Sequence, residues 1–292
     1  MPELPDLNLY IEKLAERIEN CSLEDIRISN PFLLRSVDPP LEHAYGRKVT
    51  GLSRIGKRIA IGLEGEYWLI LHLMLAGRLK WHEEKATIRG RNQLAAFDFS
   101  SGSLLLTEAG SKKRASLFLV KGFEQLQQHD PGGIEPLEIS FAEFCQVLLS
   151  ENRSVKRALT DPRKFSGIGN AYSDEILHAA QLSPIRHTQK LEVAEQRRLF
   201  DATRRVLQLW CDRLRTDSGR DFPQKVTAFR TGMAVHGRFG KPCPACATAV
   251  QRIRYKSNET NYCPRCQTGG RILADRSLSR LLKDDWPAML DE

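Results

Sequence analysis

The sequence predicts an α+β protein of several domains: an N-terminal antiparallel β-sandwich with a flanking helix, a helical domain, and a C-terminal β-hairpin that carries cysteines. Three observations lead to this fold class. Short segments of β-type composition, separated by turn signals, fill residues 26–120. Apolar residues recur at helical spacing over much of residues 141–214. Two Cys-x-x-Cys pairs then follow between residues 243 and 266.

The N-terminal region opens with two prolines, followed by a helix and a set of strands. Pro2 and Pro5 disfavour regular helix over the first five residues. Apolar residues at helical spacing then predict a helix over Asp6–Asn20, with Asp6 as its N-cap. The predicted strands lie in the segments RIAIGLEG, YWLILHLML, LAAFDFSSGSLLLTEA and ASLFLV. This region therefore reads as one helix followed by an antiparallel sandwich or barrel.

The clearest domain boundary is the stretch HDPGGIEPL, which holds two prolines and two glycines. Beyond it, periodicity predicts helices over Phe141–Leu149, Val155–Leu159, Ala171–Gln181 and Leu191–Leu214. The domains expected from these patterns are a β-sandwich over 1–128, a linker over 129–137, a helical domain over 138–219, a loop with the cysteine hairpin over 220–267, and a tail over 268–292.

The composition is that of a globular protein with a sizeable core. The chain has 292 residues, of which 41% are hydrophobic and 27% are charged. No apolar run reaches the roughly 20 residues of a membrane span, and no signal peptide is visible at the N-terminus. The cysteines number seven, and four of them are grouped in pairs. This usage favours metal binding over disulfides, and a cytoplasmic location.

Positive charge is concentrated near the C-terminus. The net charge is +8, and residues 220–283 hold 13 Lys and Arg against 3 Asp and Glu. The rest of the chain is therefore slightly acidic. Basic charge confined to one segment is typical of nucleic-acid binding, although a basic face that only contacts water would give the same count.

The strongest local motif is the pair of Cys-x-x-Cys turns. Cys243 and Cys246 are separated by sixteen residues from Cys263 and Cys266. Four thiolates in this spacing predict a tetrahedral site for one Zn²⁺ that is structural, because the protein fills every position. The intervening hairpin carries the basic residues Arg252, Arg254 and Lys256. They are candidates for DNA contact, although zinc could simply fix a surface hairpin. Outside the motif, Cys21, Cys145 and Cys211 are expected in apolar surroundings.

Three further motifs could bind phosphates. Gly167-Ile168-Gly169-Asn170 precedes a predicted helix, whose N-terminus can bind an anion. As a bare pattern it is equally consistent with a simple helix–helix turn. Lys57 lies in a turn before a predicted strand, and the loop GSKKRAS holds Lys112, Lys113 and Arg114. Both basic segments could enter a nucleic-acid groove or only face solvent.

The opening MPELPD could contain catalytic residues or could simply begin a helix. Pro2 permits removal of Met1, which would leave a secondary amine one residue from the Glu3 carboxylate. Proline is also favoured at the beginning of helices. The segment by itself leaves both interpretations open.

Together and in order, these motifs resemble the formamidopyrimidine-DNA glycosylase and endonuclease VIII family of base-excision repair enzymes. The likeness covers the PELP opening, the segment LTDPRKFSGIGNAYSDEIL, which resembles the family's helix-two-turn-helix signature, and the four-cysteine zinc finger. The resemblance implies a bifunctional enzyme that removes oxidised bases from duplex DNA and cleaves the resulting abasic site. It also implies a monomer without a nucleotide cofactor, located in the cytoplasm at the nucleoid.

The resemblance assigns roles to individual residues. Pro2, freed of Met1, would be the nucleophile and Glu3 the general acid. Lys57 matches a hairpin lysine that contacts DNA beside the lesion, and Leu75 an apolar residue that fills the gap left by the extruded nucleotide. The residues that match the family's phosphate-binding side chains in the helical domain are Lys156 and Asn170.

The chain departs from the family pattern at several positions. Asp6 and Leu75 replace the usual Glu and Met, and GSKKRAS replaces an Arg-Arg-Phe-Gly loop, so that Lys112, Lys113 or Arg114 would supply its contacts. Asn258 stands where the finger usually has an arginine, whose charge could come from Arg254 or Lys256. Leucines at helical spacing beyond Cys266 predict a tail that packs back on the protein; they are Leu278, Leu281 and Leu282.

These departures leave the lesion open, with oxidised purines slightly favoured over oxidised pyrimidines. Two other interpretations remain at this point. One is a protein that binds damaged DNA on the same scaffold without catalysis, which the intact Pro2, Glu3 and Lys57 oppose. The other is a zinc-ribbon module of a transcription or RNA complex, which leaves the start of the chain unexplained.

Overall fold

The computed structural model describes residues 1–223, 226–255, 258–275 and 289–290. The chain forms two compact units. The N-terminal unit contains Met1–Gly132 together with Trp210–Thr227, and the C-terminal unit contains Gly133–Leu209 together with Ala228–Glu292. The first change of unit falls inside the predicted linker at 129–137. Residues 210–227, which the sequence pattern divides between the helical domain and the following loop, belong to the N-terminal unit.

The N-terminal unit contains two four-stranded antiparallel sheets. In chain order its elements are α1 (Leu4–Ile18), β1 (Leu23–Ile28), β2 (Val49–Ile55), β3 (Arg58–Leu63), β4 (Tyr67–His72), β5 (Gly77–His82), β6 (Gln93–Phe99), β7 (Gly102–Glu108), β8 (Ser116–Lys121) and α2 (Phe123–Gln127), with short 3₁₀ helices at Pro31–Leu33 and Leu41–Ala44. One sheet has the order β1-β6-β7-β5 and the other β2-β3-β4-β8. The predicted antiparallel sandwich is confirmed.

One apolar core joins the two sheets and the helix. Ile61 and Leu69 from one sheet and Phe97 and Leu104 from the other belong to a single buried cluster. Helix α1 adds an apolar stripe to this cluster, formed by Leu7, Tyr10, Leu14 and Ile18. Smaller apolar clusters cover the opposite faces, so β3 and β6 are buried along almost their whole length and read as continuous apolar runs.

Helix α1 begins two residues earlier than predicted. Leu4 and Pro5 are helical, and the N-cap is Glu3 rather than Asp6. Proline is compatible with the first helical turn because the N–H it lacks would have no partner inside the helix. Asp6 instead lies at the third helical position, where its carboxylate accepts a hydrogen bond from Glu3 N at 2.9 Å.

The C-terminal unit is mainly helical and ends in a hairpin. Its helices are α3 (Phe141–Leu149), α4 (Val155–Thr160), α5 (Asn170–Ala179) and the first part of α6 (Val193–Ser218), with a 3₁₀ helix at Thr188–Lys190. The hairpin pairs β9 (Gln251–Arg254) with β10 (Glu259–Tyr262), and α7 (Pro264–Thr268) follows. The predicted helical domain and C-terminal hairpin are both present.

Beyond α7 the structure describes residues 269–275 and 289–290. Residues 271–275 contact the finger hairpin, where Leu273 packs with Ile253 and Tyr262. Leu278, Leu281 and Leu282, on which the packing of the tail was predicted, lie outside the described residues. Within the described parts of the chain, no helix is long and apolar enough to cross a membrane.

Candidate functional site

The start of the chain places an amine beside a buried carboxylate. Pro2 and Glu3 are both buried. The first turn of α1 fixes them, because Leu7 N donates to Glu3 O at 3.0 Å and Glu3 N donates to Asp6 Oδ2. The backbone on either side of the Glu3 side chain is therefore held by the helix. Pro2 and Glu3, both predicted to be catalytic, therefore lie side by side at the start of α1.

The N-terminal amine lies in surroundings that favour its neutral form. Burial lowers the pKa of the Met1 α-amino group, and the positive charges of Arg78 and Lys57 lower it further. The carboxylates of Glu3 and Asp6 act in the opposite direction. Two basic and two acidic side chains therefore act on the N-terminal amine.

Lys57 is presented by a two-residue turn between β2 and β3. Ile55 pairs with Arg58, which leaves only Gly56 and Lys57 in the turn. Gly56 has a φ of +57°, which favours glycine, and a Cβ there would lie 3.1 Å from the ring of Pro131, which is a tight contact. Burial lowers the pKa of the Lys57 ammonium, and the Glu3 carboxylate opposes this effect. Lys57 and Glu3 thus interact electrostatically.

His72 interacts electrostatically with Lys57 and was not singled out by sequence reasoning. It ends β4 and is half-buried. Burial, followed by the charges of Arg58 and Lys57, lowers its pKa to about 4. The imidazole is therefore neutral at physiological pH, beside two cations. The sequence signal that could have identified it is its position: it ends an otherwise apolar strand, just before the Leu75 turn.

Leu75 lies at an exposed turn between β4 and β5. Its side chain is 60% exposed, which is high for a leucine. The preceding residue, Met74, has a φ of +52°, and Gly77 N donates to Leu73 O at 2.8 Å to close the turn. An apolar side chain held out on a closed turn is suited to insertion into a base stack.

The basic loop between β7 and β8 is organised by a buried carboxylate that the sequence analysis did not single out. Glu108 is buried and accepts from Arg114 N at 2.9 Å and from Ala115 N at 3.1 Å. The Lys113 ammonium donates to Asn92 Oδ1 at 2.8 Å and to the backbone oxygen of Glu108. Lys112 and Arg114 have side chains that are accessible to solvent. Of the three predicted residues, Lys113 is thus engaged within the chain, and the other two face solvent.

In the C-terminal unit, Lys156 and Asn170 come together at the start of α5. The Lys156 ammonium forms an ion pair with Asp174 and lies 3.4 Å from the backbone oxygen of Asn170. The Asn170 amide donates to the backbone oxygen of Glu259 in β10 at 2.9 Å. The helix terminus, the lysine and the hairpin therefore form one connected site, whereas the sequence predicts them only as separate motifs.

Two buried acids of α5 hold the segment that leads into the cysteine hairpin. Asp174 accepts from His236 Nδ1 at 2.8 Å through its second carboxylate oxygen. Glu175 accepts from the backbone N–H groups of Ala234, Val235 and His236 at 2.7–2.9 Å. Burial raises the pKa of Glu175, although these three donors oppose the effect. In the sequence these adjacent acids look like ordinary surface charges of a helix.

The four predicted cysteines form one cluster. The Sγ atoms of Cys243, Cys246, Cys263 and Cys266 all lie within 4.8 Å of one another. Two of the separations are 3.9 Å, between Cys243 and Cys266, and 3.4 Å, between Cys246 and Cys263. Tetrahedral coordination at a Zn–S distance of about 2.3 Å requires sulfurs about 3.8 Å apart. The donor set and spacing fit one structural Zn²⁺, with all four positions filled by protein.

Of its three candidate DNA contacts, the finger hairpin exposes one, Arg254, within the described residues. Arg254 ends β9 and has an exposed side chain. Arg252 differs from it, because its guanidinium lies 4.1 Å from the centre of the Phe239 ring and pairs with Glu259. Lys256 lies outside the described residues.

Three family models match the chain in order. They are the formamidopyrimidine-DNA glycosylase N-terminal domain over residues 1–112, the H2TH domain of the same enzyme over 133–216, and a zinc finger found in these glycosylases and in isoleucyl-tRNA synthetase over 240–269. The formamidopyrimidine-DNA glycosylase of Heliobacterium modesticaldum is 33% identical over 278 residues, which cover 91% of this chain and all of that protein. The chain belongs to the formamidopyrimidine-DNA glycosylase family.

Other members agree in sequence and in fold. The formamidopyrimidine-DNA glycosylase of Thermus thermophilus is 31% identical over 92% of this chain and all of its own length. The crystal structure of the MutM (Fpg) protein from that organism has a TM-score of 0.76 at 29% identity and covers 91% of this chain and 98% of its own. Fpg from Lactococcus lactis, solved non-covalently bound to DNA with an abasic site, shares the fold with a TM-score of 0.78 at 22% identity, over 91% of this chain and 99% of its own.

Family membership identifies the protein as a DNA glycosylase of DNA repair with one structural zinc. It also explains why the motifs occur in this order along the chain. The predicted family, fold class and zinc cofactor are confirmed.

Proposed function

We propose that this glycosylase is bifunctional: it removes oxidised bases from duplex DNA and then cleaves the strand at the abasic site, with the Pro2 amine as nucleophile. The observation that carries the proposal is that burial lowers the pKa of the Met1 α-amino group, one residue before Pro2 and beside the buried carboxylate of Glu3, so that the Pro2 amine would enter similar surroundings once Met1 is removed. An α-amine ordinarily has a pKa of about 8, so a useful neutral fraction exists near pH 7, and the burial of the N-terminal amine increases that fraction.

The proposed reaction begins after Met1 has been removed. The lone pair of the Pro2 nitrogen forms a bond to C1′ of the damaged nucleotide as the bond from C1′ to the base breaks, and the base leaves with a proton. Opening of the sugar ring converts the adduct into an iminium. Loss of a C2′ proton then expels the 3′ phosphate by β-elimination, and δ-elimination expels the 5′ phosphate. This is covalent catalysis by an amine.

Glu3 is the proposed general acid for ring opening. Its carboxyl group would deliver a proton to the sugar oxygen as the ring opens. Lys57 is proposed to contact the DNA backbone beside the lesion. Their electrostatic interaction supports placing both residues at the same reaction centre.

The proposed partner is damaged duplex DNA. Lys156 and Asn170 would bind phosphates at the start of α5, together with Arg254 and Lys256 of the finger. Leu75 would fill the space left when the nucleotide leaves the stack. The basic loop would add Lys112 and Arg114, whereas Lys113 mainly holds the loop together, as its internal contacts indicate.

The proposed lesions are oxidised purines in preference to oxidised pyrimidines. Formamidopyrimidine, for which the family is named, is a purine whose imidazole ring has opened.

Single-turnover excision from duplexes that contain either 8-oxoguanine or thymine glycol tests the proposal. We expect strand cleavage by the wild-type protein, faster on 8-oxoguanine, and a loss of about a hundredfold or more in Pro2→Gly with binding retained. Excision by Pro2→Gly at the wild-type rate would refute the assignment of Pro2 as the nucleophile. DNA binding by the wild type without excision of either lesion would favour the catalytically inactive alternative.

A further inference from the structure

The chain continues beyond the part that matches the family. The zinc-finger model ends at residue 269. The structure describes a short stretch after it, and we refer to residues 271–275 as the C-terminal segment. Two of its residues, Leu273 and Asp275, contact the β9–β10 hairpin, which carries Arg254.

The C-terminal segment is anchored by Leu273. Its backbone N–H donates to the Tyr262 hydroxyl at 2.7 Å. The Leu273 side chain is 4% exposed and packs with Ile253 of β9 and Tyr262 of β10. One residue of the segment therefore contacts both hairpin strands. A two-stranded hairpin is only marginally stable by itself, so an added apolar contact and hydrogen bond restrict its motion.

Asp275 binds the backbone of Arg254, the hairpin residue that is proposed to contact DNA. It is 1% exposed, and its Oδ2 accepts a hydrogen bond from Arg254 N at 2.9 Å. Arg254 is the last residue of β9 and pairs with Glu259. Its amide points away from β10 at this edge of the hairpin, and the carboxylate takes the place of a third strand as its acceptor. The backbone from which the exposed Arg254 side chain extends is thereby fixed.

The buried carboxylate of Asp275 lies within the basic part of the chain. Residues 220–283 are strongly basic, and a negative charge there opposes DNA binding unless it performs another task. A hydrogen bond from a backbone amide to a carboxylate is stronger than one to a neutral acceptor. The task consistent with this contact is to hold the end of β9 in one conformation.

We propose that the C-terminal segment positions Arg254 for a DNA phosphate, with Asp275 as the positioning residue. This inference rests on the proposed function, because it assumes that the finger contacts DNA. Arg254 would then supply the charge that is absent at Asn258, from a backbone held by the C-terminal segment.

The test is a binding titration of the full-length zinc-loaded protein with a duplex that contains one abasic site, repeated over a series of salt concentrations. The variants are Asp275→Ala, Arg254→Ala and the double variant. We expect each single variant to bind about tenfold more weakly, since a hydrogen bond to a charged group contributes about that much. The logarithm of the binding constant falls linearly with the logarithm of the salt concentration. Each single variant should make this dependence less steep by about 0.9, the value for one phosphate contact. The double variant should be no weaker than Arg254→Ala.

Two controls separate positioning from charge and from misfolding. Asp275→Asn retains an oxygen acceptor, and we expect it to bind within about threefold of the wild type. Asp201→Ala removes an exposed acidic charge from α6 and should not weaken binding. Zinc content is measured for every variant and should be unchanged. Loss of zinc in Asp275→Ala would show that the finger unfolds, and would overturn the positioning role.

The remaining outcomes distinguish this inference from the proposed function. Weak binding by Arg254→Ala with unchanged or tighter binding by Asp275→Ala would overturn the role of the C-terminal segment alone. An equal loss in Asp275→Asn and Asp275→Ala would show that the carboxylate acts by its charge, and would also overturn it. Failure of the wild-type protein to bind or cleave the abasic duplex would instead contradict the proposed function.

Discussion

The buried carboxylate of Asp174 holds the ammonium of Lys156 against the first turn of α5. Lys156 donates to Asp174 Oδ1, and the second oxygen accepts from His236 Nδ1 at 2.8 Å and from Asn261 N at 3.2 Å. The Asp174 side chain is completely buried. One carboxylate therefore connects α4, α5, the segment before the zinc cluster and the finger hairpin.

Asp174→Ala should strongly destabilise the C-terminal unit. The substitution leaves Lys156, whose side chain is 11% exposed, without its charge partner, which costs about 3–5 kcal/mol of unfolding free energy. Urea unfolding, monitored together with zinc content, measures this loss. The matched control is Asp201→Ala on the exposed face of α6, which should change stability by no more than about 0.5 kcal/mol. Equal stabilities of the two variants would show that the pair is not structural.

Cys263→Ser should lose both zinc and DNA affinity. Cys263 is completely buried in the four-sulfur cluster, and a hydroxyl is a poor substitute for a thiolate ligand of zinc. Metal analysis should give about one zinc per wild-type chain and close to none in the variant. Cys145→Ser, outside the cluster, should retain its zinc. Full zinc content in Cys263→Ser would overturn the ligand assignment.

Arg78 should set the acid limb of the pH–rate profile. Burial lowers the pKa of the Met1 α-amino group, the charge of Arg78 lowers it further and Asp6 raises it, and we expect the same effects on the Pro2 amine once Met1 is removed. The amine reacts when neutral, so the rate rises as pH increases through its pKa. Arg78→Gln should therefore shift the limb to higher pH, and Asp6→Asn should shift it to lower pH. Single-turnover rates between about pH 5 and pH 9 measure this, with the exposed Lys80→Gln as control. Shifts of the same sign in both variants would refute the electrostatic explanation.

His72 should make the protein less stable in mild acid. Its pKa is about 4 in the folded state against an ordinary 6.5, so the unfolded chain binds more protons between these values. Stability is then fully present above about pH 6.5 and falls as pH decreases towards 4, by up to about 3 kcal/mol. His72→Gln should reduce this dependence. Unfolding titrations at several pH values measure it, and His82→Gln, at an exposed site, should behave like the wild type.

The sequence is most informative where the pattern is local. The bounds of α3 agree with its apolar periodicity, and the cysteine spacing alone is enough to predict the four-sulfur cluster. The predicted start of α1 is too late because proline disfavours helix at most positions, although the first helical turn accepts Pro5.

Contacts between distant residues are not predictable in the same way. Asp174 and Asp275 are both buried, and both bind backbone or side-chain donors from distant parts of the chain. In the sequence they are indistinguishable from solvated acids, since burial depends on tertiary packing. The same holds for helix α6. Its apolar periodicity predicts a helix, but it does not predict that the last part of the helix belongs to the N-terminal unit.

The most direct test of the central claim is borohydride trapping on a duplex that contains one abasic site. Borohydride reduces an iminium to a stable amine and so links the protein to the DNA. The account predicts a covalent band whose attached peptide begins at Pro2, with Met1 absent. Intact binding without a covalent band, or a band attached to a lysine such as Lys57, would contradict the assignment of the Pro2 amine as nucleophile.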